Sequence, residues 1–147
     1  GFNSLLAHQK GNCMKLRFID FGGKMPTKAH HDDAGSDCYA KSSIRLPAGC
    51  TVKMPLGFGI DLQPGYVGLL LPRSSMNARC LVERTGVIDA GYKGEICAII
   101  CNMTNDYADI DAGDKVAQLA IMPVMSIDAE IEHEEERKDK GFGSSGK

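Results

Sequence analysis

Five short clusters in this chain carry residue types that a folded core does not need. Ala34-Gly35-Ser36-Asp37 sets a glycine just ahead of an acid at the start of a strand-like stretch. Pro72-Arg73-Ser74-Ser75 ends an apolar strand with a guanidinium and two hydroxyls, where a short helix can begin. Backbone N–H groups, the helix dipole and the arginine there together favour a phosphate. A serine cap beside a surface arginine has the same spelling. Gly86-Val87-Ile88-Asp89 ends an apolar strand on a carboxylate, and Tyr92 follows three residues later on a Gly-rich tip. Such an aspartate can take a proton from a held water, or it is a turn residue beside an ordinary tyrosine. Gly113-Asp114 leads into a strand in which Gln118 is the polar exception; a buried amide needs backbone or ligand oxygens. Last, Arg137 precedes Phe142-Gly143-Ser144-Ser145-Gly146. Glycines and hydroxyls of that kind can wrap a phosphate chain while the phenyl ring stacks on a base, and a plain Gly/Ser tail reads identically.

The elements that must position these clusters are short strands. Met14 opens Lys15–Asp20, where apolar and polar residues alternate. Ile44–Leu46, Thr51–Pro55, Leu56–Leu62 and Tyr66–Leu71 follow, separated by Gly- and Pro-containing turns such as Gln63-Pro64-Gly65. Gly86–Asp89 and Glu95–Cys101 flank Ala90–Gly94, which predicts a β-hairpin. Val116–Met122 is a further buried strand, stopped by Pro123. Ser74–Leu81 is the one stretch read as a short helix. The pattern predicts an all-β fold, a distorted β-barrel or jelly roll whose closure hides strand edges. Residues 14–136 form the barrel domain in this reading. Residues 1–13 precede Met14 as a cloning remnant or a flexible arm, and 137–147 form a C-terminal arm; Glu130–Lys140 is a charge run.

A chain of 147 residues suits one domain and buries well over half of its unfolded surface. A net charge of −2 argues against a dense basic face for duplex nucleic acid, and no apolar run is long enough to span a membrane. Of the six cysteines, Cys13, Cys38, Cys50, Cys80, Cys97 and Cys101, none forms a C-x-x-C pair. They read as reduced core thiols of an intracellular protein rather than a zinc site completed by His30 and His31. Cys97 and Cys101 are expected on one face of a strand.

In their order and spacing the five clusters resemble the motifs of the trimeric dUTP pyrophosphatases, from roughly Lys15 to Lys147. The resemblance implies a jelly-roll homotrimer with active sites shared between subunits, and Mg²⁺-dependent hydrolysis of dUTP to dUMP and pyrophosphate. That activity clears dUTP from the DNA precursor pool and supplies dUMP. It implies no nucleic-acid or membrane partner, and a cytoplasmic location, or a nuclear one in a eukaryotic source. Carried over by residue, Asp89 activates the attacking water. Arg73, Ser74, Ser75 and Gln118 grip phosphates, and Asp37 orients a metal-bound water or pairs with Arg73. Gly86, Val87, Ile88 and Cys97 frame the uracil pocket, with base-pairing main-chain groups near Gly86 and Cys97. Tyr92 lies under the deoxyribose and leaves no room for a 2′-hydroxyl. Arg137 reaches the γ-phosphate, Phe142 stacks on uracil, and Gly143, Ser144 and Ser145 close over the phosphates.

The chain departs from the family pattern in a few places. Ser75 stands where glycine is common, Lys138 and Lys140 where glycine is usual, and Ser145 where threonine is usual. A deaminase of dCTP shares the fold and an Arg-Ser-Ser element, and is the nearest rival reading. A nucleotide-sensing protein and a purely structural β trimer are the others.

Overall fold

The structure is a computed structural model that describes residues 14–135. Among the described residues the chain forms eleven strands, with a short helix between the sixth and seventh. The strands are β1 (Arg17–Asp20), β2 (Ser36–Tyr39), β3 (Ile44–Leu46), β4 (Thr51–Pro55), β5 (Phe58–Asp61) and β6 (Tyr66–Leu71), followed after the helix α1 (Ser74–Ala78) by β7 (Leu81–Arg84), β8 (Gly86–Ile88), β9 (Cys97–Asn102), β10 (Ala108–Ile110) and β11 (Lys115–Pro123). All pairings are antiparallel. They form a four-stranded sheet β2-β11-β6-β8, a three-stranded sheet β4-β9-β7, and the pairs β1-β5 and β10-β3. This is the expected all-β, jelly-roll type of fold, a distorted barrel assembled from separate sheets.

Alternation explains which residues face inward. In β9, Ala98, Ile100 and Asn102 are buried while Cys97, Ile99 and Cys101 are only partly so. Phe58, Leu56, Ile60, Met54, Leu70 and Ile100 are among the largest fully buried side chains. Close backbone approach fixes one corner. A Cβ at Gly57 (φ +78°) would lie 2.2 Å from the Gly23 Cα, so neither position accommodates a side chain. There the Gly57 carbonyl accepts the Phe21 and Gly23 N–H groups at 3.0 Å each.

Two polar side chains are sealed in the core. The Asn102 amide donates to the Leu46 carbonyl at 2.9 Å and the Asp106 carbonyl at 2.8 Å, while its oxygen accepts from the Thr104 N–H and hydroxyl. Asn102 is therefore fully satisfied and pins the loop to β10. Glu83 on β7 is 2% exposed, and neither carboxylate oxygen has a hydrogen-bond partner. Burial pushes its pKa up to about 8, since a charged form has nothing to offset its desolvation.

Several sequence expectations need correction. Gly86–Asp89 and Glu95–Cys101 do not pair with each other: β8 pairs with β6, whereas β9 lies between β4 and β7. Residues 89–96 thus cross from one sheet to another instead of closing a hairpin. The helix stops at Ala78, and Leu81 already belongs to β7. Cys80 makes the stop in the left-handed region, φ 55°. The described cysteines are free but mostly not core: Cys38 is buried, Cys97 and Cys101 share one face at intermediate depth, and Cys50 and Cys80 are exposed, while Cys13 lies outside the described residues. Among the described residues, no three His, Cys, Asp or Glu side chains gather to hold a metal, and no helix is long and apolar enough to cross a membrane.

Candidate active site

The candidate residues fall into two groups, placed by the four-stranded sheet. The first group sits where β2, β11 and β6 run side by side. Register sets Asp37 opposite Gln118, and Gln118 opposite Leu71. Arg73 follows two residues after Leu71 and returns over this edge. Its Nε donates to Asp37 Oδ1 at 3.0 Å, and Lys115 Nζ approaches Asp37 Oδ2 at 3.5 Å. Arg73 Nη1 also donates to Ser75 Oγ at 3.0 Å and the Lys115 carbonyl at 3.3 Å. Of the two roles expected for Asp37, pairing with Arg73 is the one realised in this structure. Gln118 Nε2 donates to the Pro72 carbonyl at 2.9 Å, the backbone partner its amide requires. Gly35 makes room for it, because a Cβ there would lie 2.6 Å from Gln118 Oε1. Two cations share one carboxylate, so the cluster keeps a net positive charge beside the exposed Ser74 and Ser75. Such a cluster suits an oxyanion with several oxygens. Lys115 was not singled out from the sequence; its role appears only once β11 is laid against β2.

The second group lines a cavity of about 300 Å³ between β8 and β9. The β7–β9 ladder ends at Arg84↔Ile99. Beyond it the chain crosses to β8, which is the edge of its own sheet. The gap left between them holds Gly86, Val87, Ile88 and Cys97, with Leu70 and Ile96 as apolar walls and Asp89 and Tyr92 at the rim. The sequence-predicted pocket residues are thus brought together, although by two sheets parting and not by an opened hairpin. Asp89 is exposed, and its carbonyl accepts the Tyr92 N–H at 3.0 Å. The Tyr92 hydroxyl donates to the Glu95 carbonyl at 2.9 Å, which fixes the ring. Burial raises the Cys97 pKa, so its thiol faces the cavity in the neutral form. A larger open cleft of about 820 Å³, lined by Lys15, Arg17 and Lys93 among others, contains none of the predicted site residues.

Within one chain the two groups do not meet. β2 and β8 are opposite edges of the sheet. Ile88 is opposite Gly68, so Asp89 leaves β8 at the far end of β6 from Leu71. Val67 to Leu71 alone spans roughly 13 Å at the rise of a strand. Arg137, Phe142, Gly143, Ser144 and Ser145 lie outside the described residues.

The chain is similar to known proteins over most of its length. The dUTPase family model matches residues 22–146. A deoxyuridine 5′-triphosphate nucleotidohydrolase of Tropheryma whipplei (strain Twist) is 38% identical over 141 residues, covering 91% of this chain and 97% of the relative. The protein of that name from Mycolicibacterium gilvum is 36% identical over 134 residues, covering 83% and 87%. Among solved structures, a mutant dUTPase from phage phi11 of S. aureus, described for its coordination of a structural Mg(II) ion, has a TM-score of 0.77 at 26% identity, covering 80% of this chain and 96% of that one. A mutant of the Staphylococcus bacteriophage 80alpha dUTPase solved with dUpNHpp also has a TM-score of 0.77 at 26% identity, covering 91% and 100%. With motifs, fold and relatives in agreement over nearly its whole length, this chain belongs to the dUTPase family.

Proposed function

We propose that this chain hydrolyses dUTP to dUMP and pyrophosphate at sites completed between copies of itself, three to an assembly. The observation that carries the reading is a pair of separate groups: a base-sized cavity with the Asp89 carboxylate at its rim, and a cationic grip beyond Leu71, at the other end of β6 from Asp89. Neither half can turn over a nucleotide alone, and a second copy supplies the missing half. The chain also leaves unfinished strand structure. Among the described residues β1 pairs only with β5, and Met125, Ile127 and Ile131 are 91%, 87% and 81% exposed in an extended segment that alternates apolar and polar residues. Such bare alternation suits a strand that packs against another copy. The alternation starts before the charge run and went unread in the sequence.

In this mechanism uracil enters the cavity against main-chain groups near Gly86 and Cys97, where cytosine would set donor against donor. Tyr92 supports the sugar. Asp89 holds a water and takes its proton as the water oxygen attacks the α-phosphorus. The phosphate oxygens are gripped by Arg73, Ser74, Ser75 and Gln118, with Lys115 adding charge, and the bond to the departing pyrophosphate breaks. Arg137, Ser144 and Ser145 would close over the phosphates, and Phe142 over the base. The donor set fits Mg²⁺ held mainly by substrate. It offers hard oxygen ligands, and Asp37 already has its oxygens on Arg73 and Lys115, so it would reach the ion through water. Mg²⁺ would offset the negative charge of the triphosphate. The described cysteines are all free, and we place the protein in a reducing compartment.

The reading is tested by pyrophosphate release from dUTP, dCTP, UTP and dTTP measured side by side. We expect strong preference for dUTP; ammonia release from dCTP would support the deaminase reading instead. Asp89→Asn should retain dUTP binding and lose at least about a hundredfold in kcat. Full activity in that variant would remove Asp89 from its role.

A further inference from the structure

We infer that Glu95, held by Lys41, is the positioning residue that sets the sugar platform and thereby the preference for deoxyribose over ribose. The inference rests on the reading above that Tyr92 supports the sugar. Glu95 is the last residue of the crossing segment before Ile96 and β9, and its side chain is 25% exposed. It is bonded at both ends. Its Oε2 accepts the Gly57 N–H at 2.9 Å and Lys41 Nζ at 3.3 Å, and Lys41 Nζ in turn donates to the Phe21 carbonyl at 2.7 Å. Its own carbonyl accepts the Tyr92 hydroxyl at 2.9 Å. The Tyr92 ring lies against Gly94, where a Cβ would come within 2.7 Å of the hydroxyl oxygen. Across this segment, Gly59 lies so close to the Gly94 and Lys93 carbonyls that a Cβ would come within 2.7 and 3.2 Å of them.

These contacts form one path from the rigid corner to the site. Gly57 and Gly23 meet backbone to backbone, so the Gly57 N–H is a fixed donor. Glu95 takes its place from that donor, Tyr92 from Glu95, and the Asp89 carbonyl accepts the Tyr92 N–H at 3.0 Å. Without the Glu95 carboxylate, residues 89–96 keep their strand connections but lose the tether that sets the height of the ring. A displacement of about 1 Å in such a supporting contact is enough to change rate and selectivity. A 2′-hydroxyl is excluded only while the ring stays at that height. Losing the tether therefore admits UTP more than it harms dUTP.

The test compares kcat and KM for dUTP and UTP in the wild type, Glu95→Ala, Glu95→Gln and Tyr92→Phe. In Glu95→Ala the dUTP/UTP ratio of kcat/KM should fall about tenfold, mostly through KM. Glu95→Gln keeps an oxygen for the Gly57 N–H and should recover the ratio to within about threefold. Tyr92→Phe removes only the hydroxyl link and should lower the ratio like Glu95→Ala. The double variant should be little worse than either single one, as expected for residues acting in series. A folded Glu95→Ala with an unchanged ratio overturns the inference, and so does additivity in the double variant. If Glu95→Ala fails to fold, Tyr92→Phe and Glu95→Gln decide it: an unchanged ratio in Tyr92→Phe overturns it. Failure of the parent reading is distinguishable, because the wild type would then not cleave dUTP.

Discussion

Glu83 shows what one side chain does to the whole energy balance. The folded chain holds its proton up to about pH 8, against an ordinary value of 4.5. Between those values the unfolded chain binds fewer protons than the folded one. Stability therefore falls as pH rises from about 4.5 to 8 and levels off above. The Cys38 thiol, which senses the charge of Glu83, is itself pushed up to about 12, mainly by burial, and so stays neutral throughout. The lost stability is on the order of 3–5 kcal/mol across the window. Glu83→Leu should remove most of this slope and raise the urea midpoint at pH 8. Unfolding measured at pH 5, 6.5 and 8 checks it, and parallel pH profiles for the variant and wild type would refute it. The same side chain explains a gap in what the sequence showed. β7 reads Leu81-Val82-Glu83-Arg84, with Leu81 and Glu83 inward. An acid at an inward position erases the apolar alternation, so the sequence places Leu81 at the end of the predicted helix and gives Val82–Arg84 no element.

At the scale of elements, α1 ends with Cys80 at φ 55°, where an L-residue crowds its own backbone. The Cys80 N–H donates to the Asn77 carbonyl at 2.9 Å and its carbonyl accepts the Met103 N–H at 2.9 Å, so the bend is held at both ends. Cys80→Gly should stabilise the protein by about 0.5–1 kcal/mol, read as a higher Tm with unchanged activity. Most strands were legible because their alternation and turn residues are local. Their partners were not. The Ala90–Gly94 tip looks like a hairpin turn, yet β8 goes to β6 and β9 to β4 and β7. Pairing is decided by burial across the barrel, which no local window contains. β10, three residues long, offers too little pattern to read. Among site residues, Asp37, Arg73, Asp89, Tyr92 and Gln118 stood out by type and spacing. Lys115, Lys41 and Glu95 did not: Lys115 pairs with Asp37, Lys41 with Glu95, and the Glu95 carboxylate with the Gly57 N–H, partners that only the fold brings near.

For the whole molecule, the two groups of candidate residues lie apart within one chain, and the proposed function needs them in one site. If Asp89 of one copy serves the Arg73 grip of another, two different defects can compensate. Asp89→Asn and Arg73→Ala should each be nearly inactive alone. Unfolded together in equal amounts and refolded, they should recover about a quarter of wild-type activity, the share of sites that draw an intact residue from each parent under random assembly. No recovery, with mixed assemblies shown to form, would mean that each site is built within a single chain.

In the proposed function, base recognition rests on β8 and β9 to one side of β6 and phosphate capture on β11 and β2 to the other, which separates two selective pressures. On that proposal, changes at Gly86, Val87 or Cys97 would reshape which nucleobase is admitted, while Arg73, Asp37 and Lys115 do not line the cavity. A library randomised at those three cavity positions can therefore search for new nucleotide preferences on an unaltered phosphate anchor. The chain's architecture makes it a modular starting point for directed evolution.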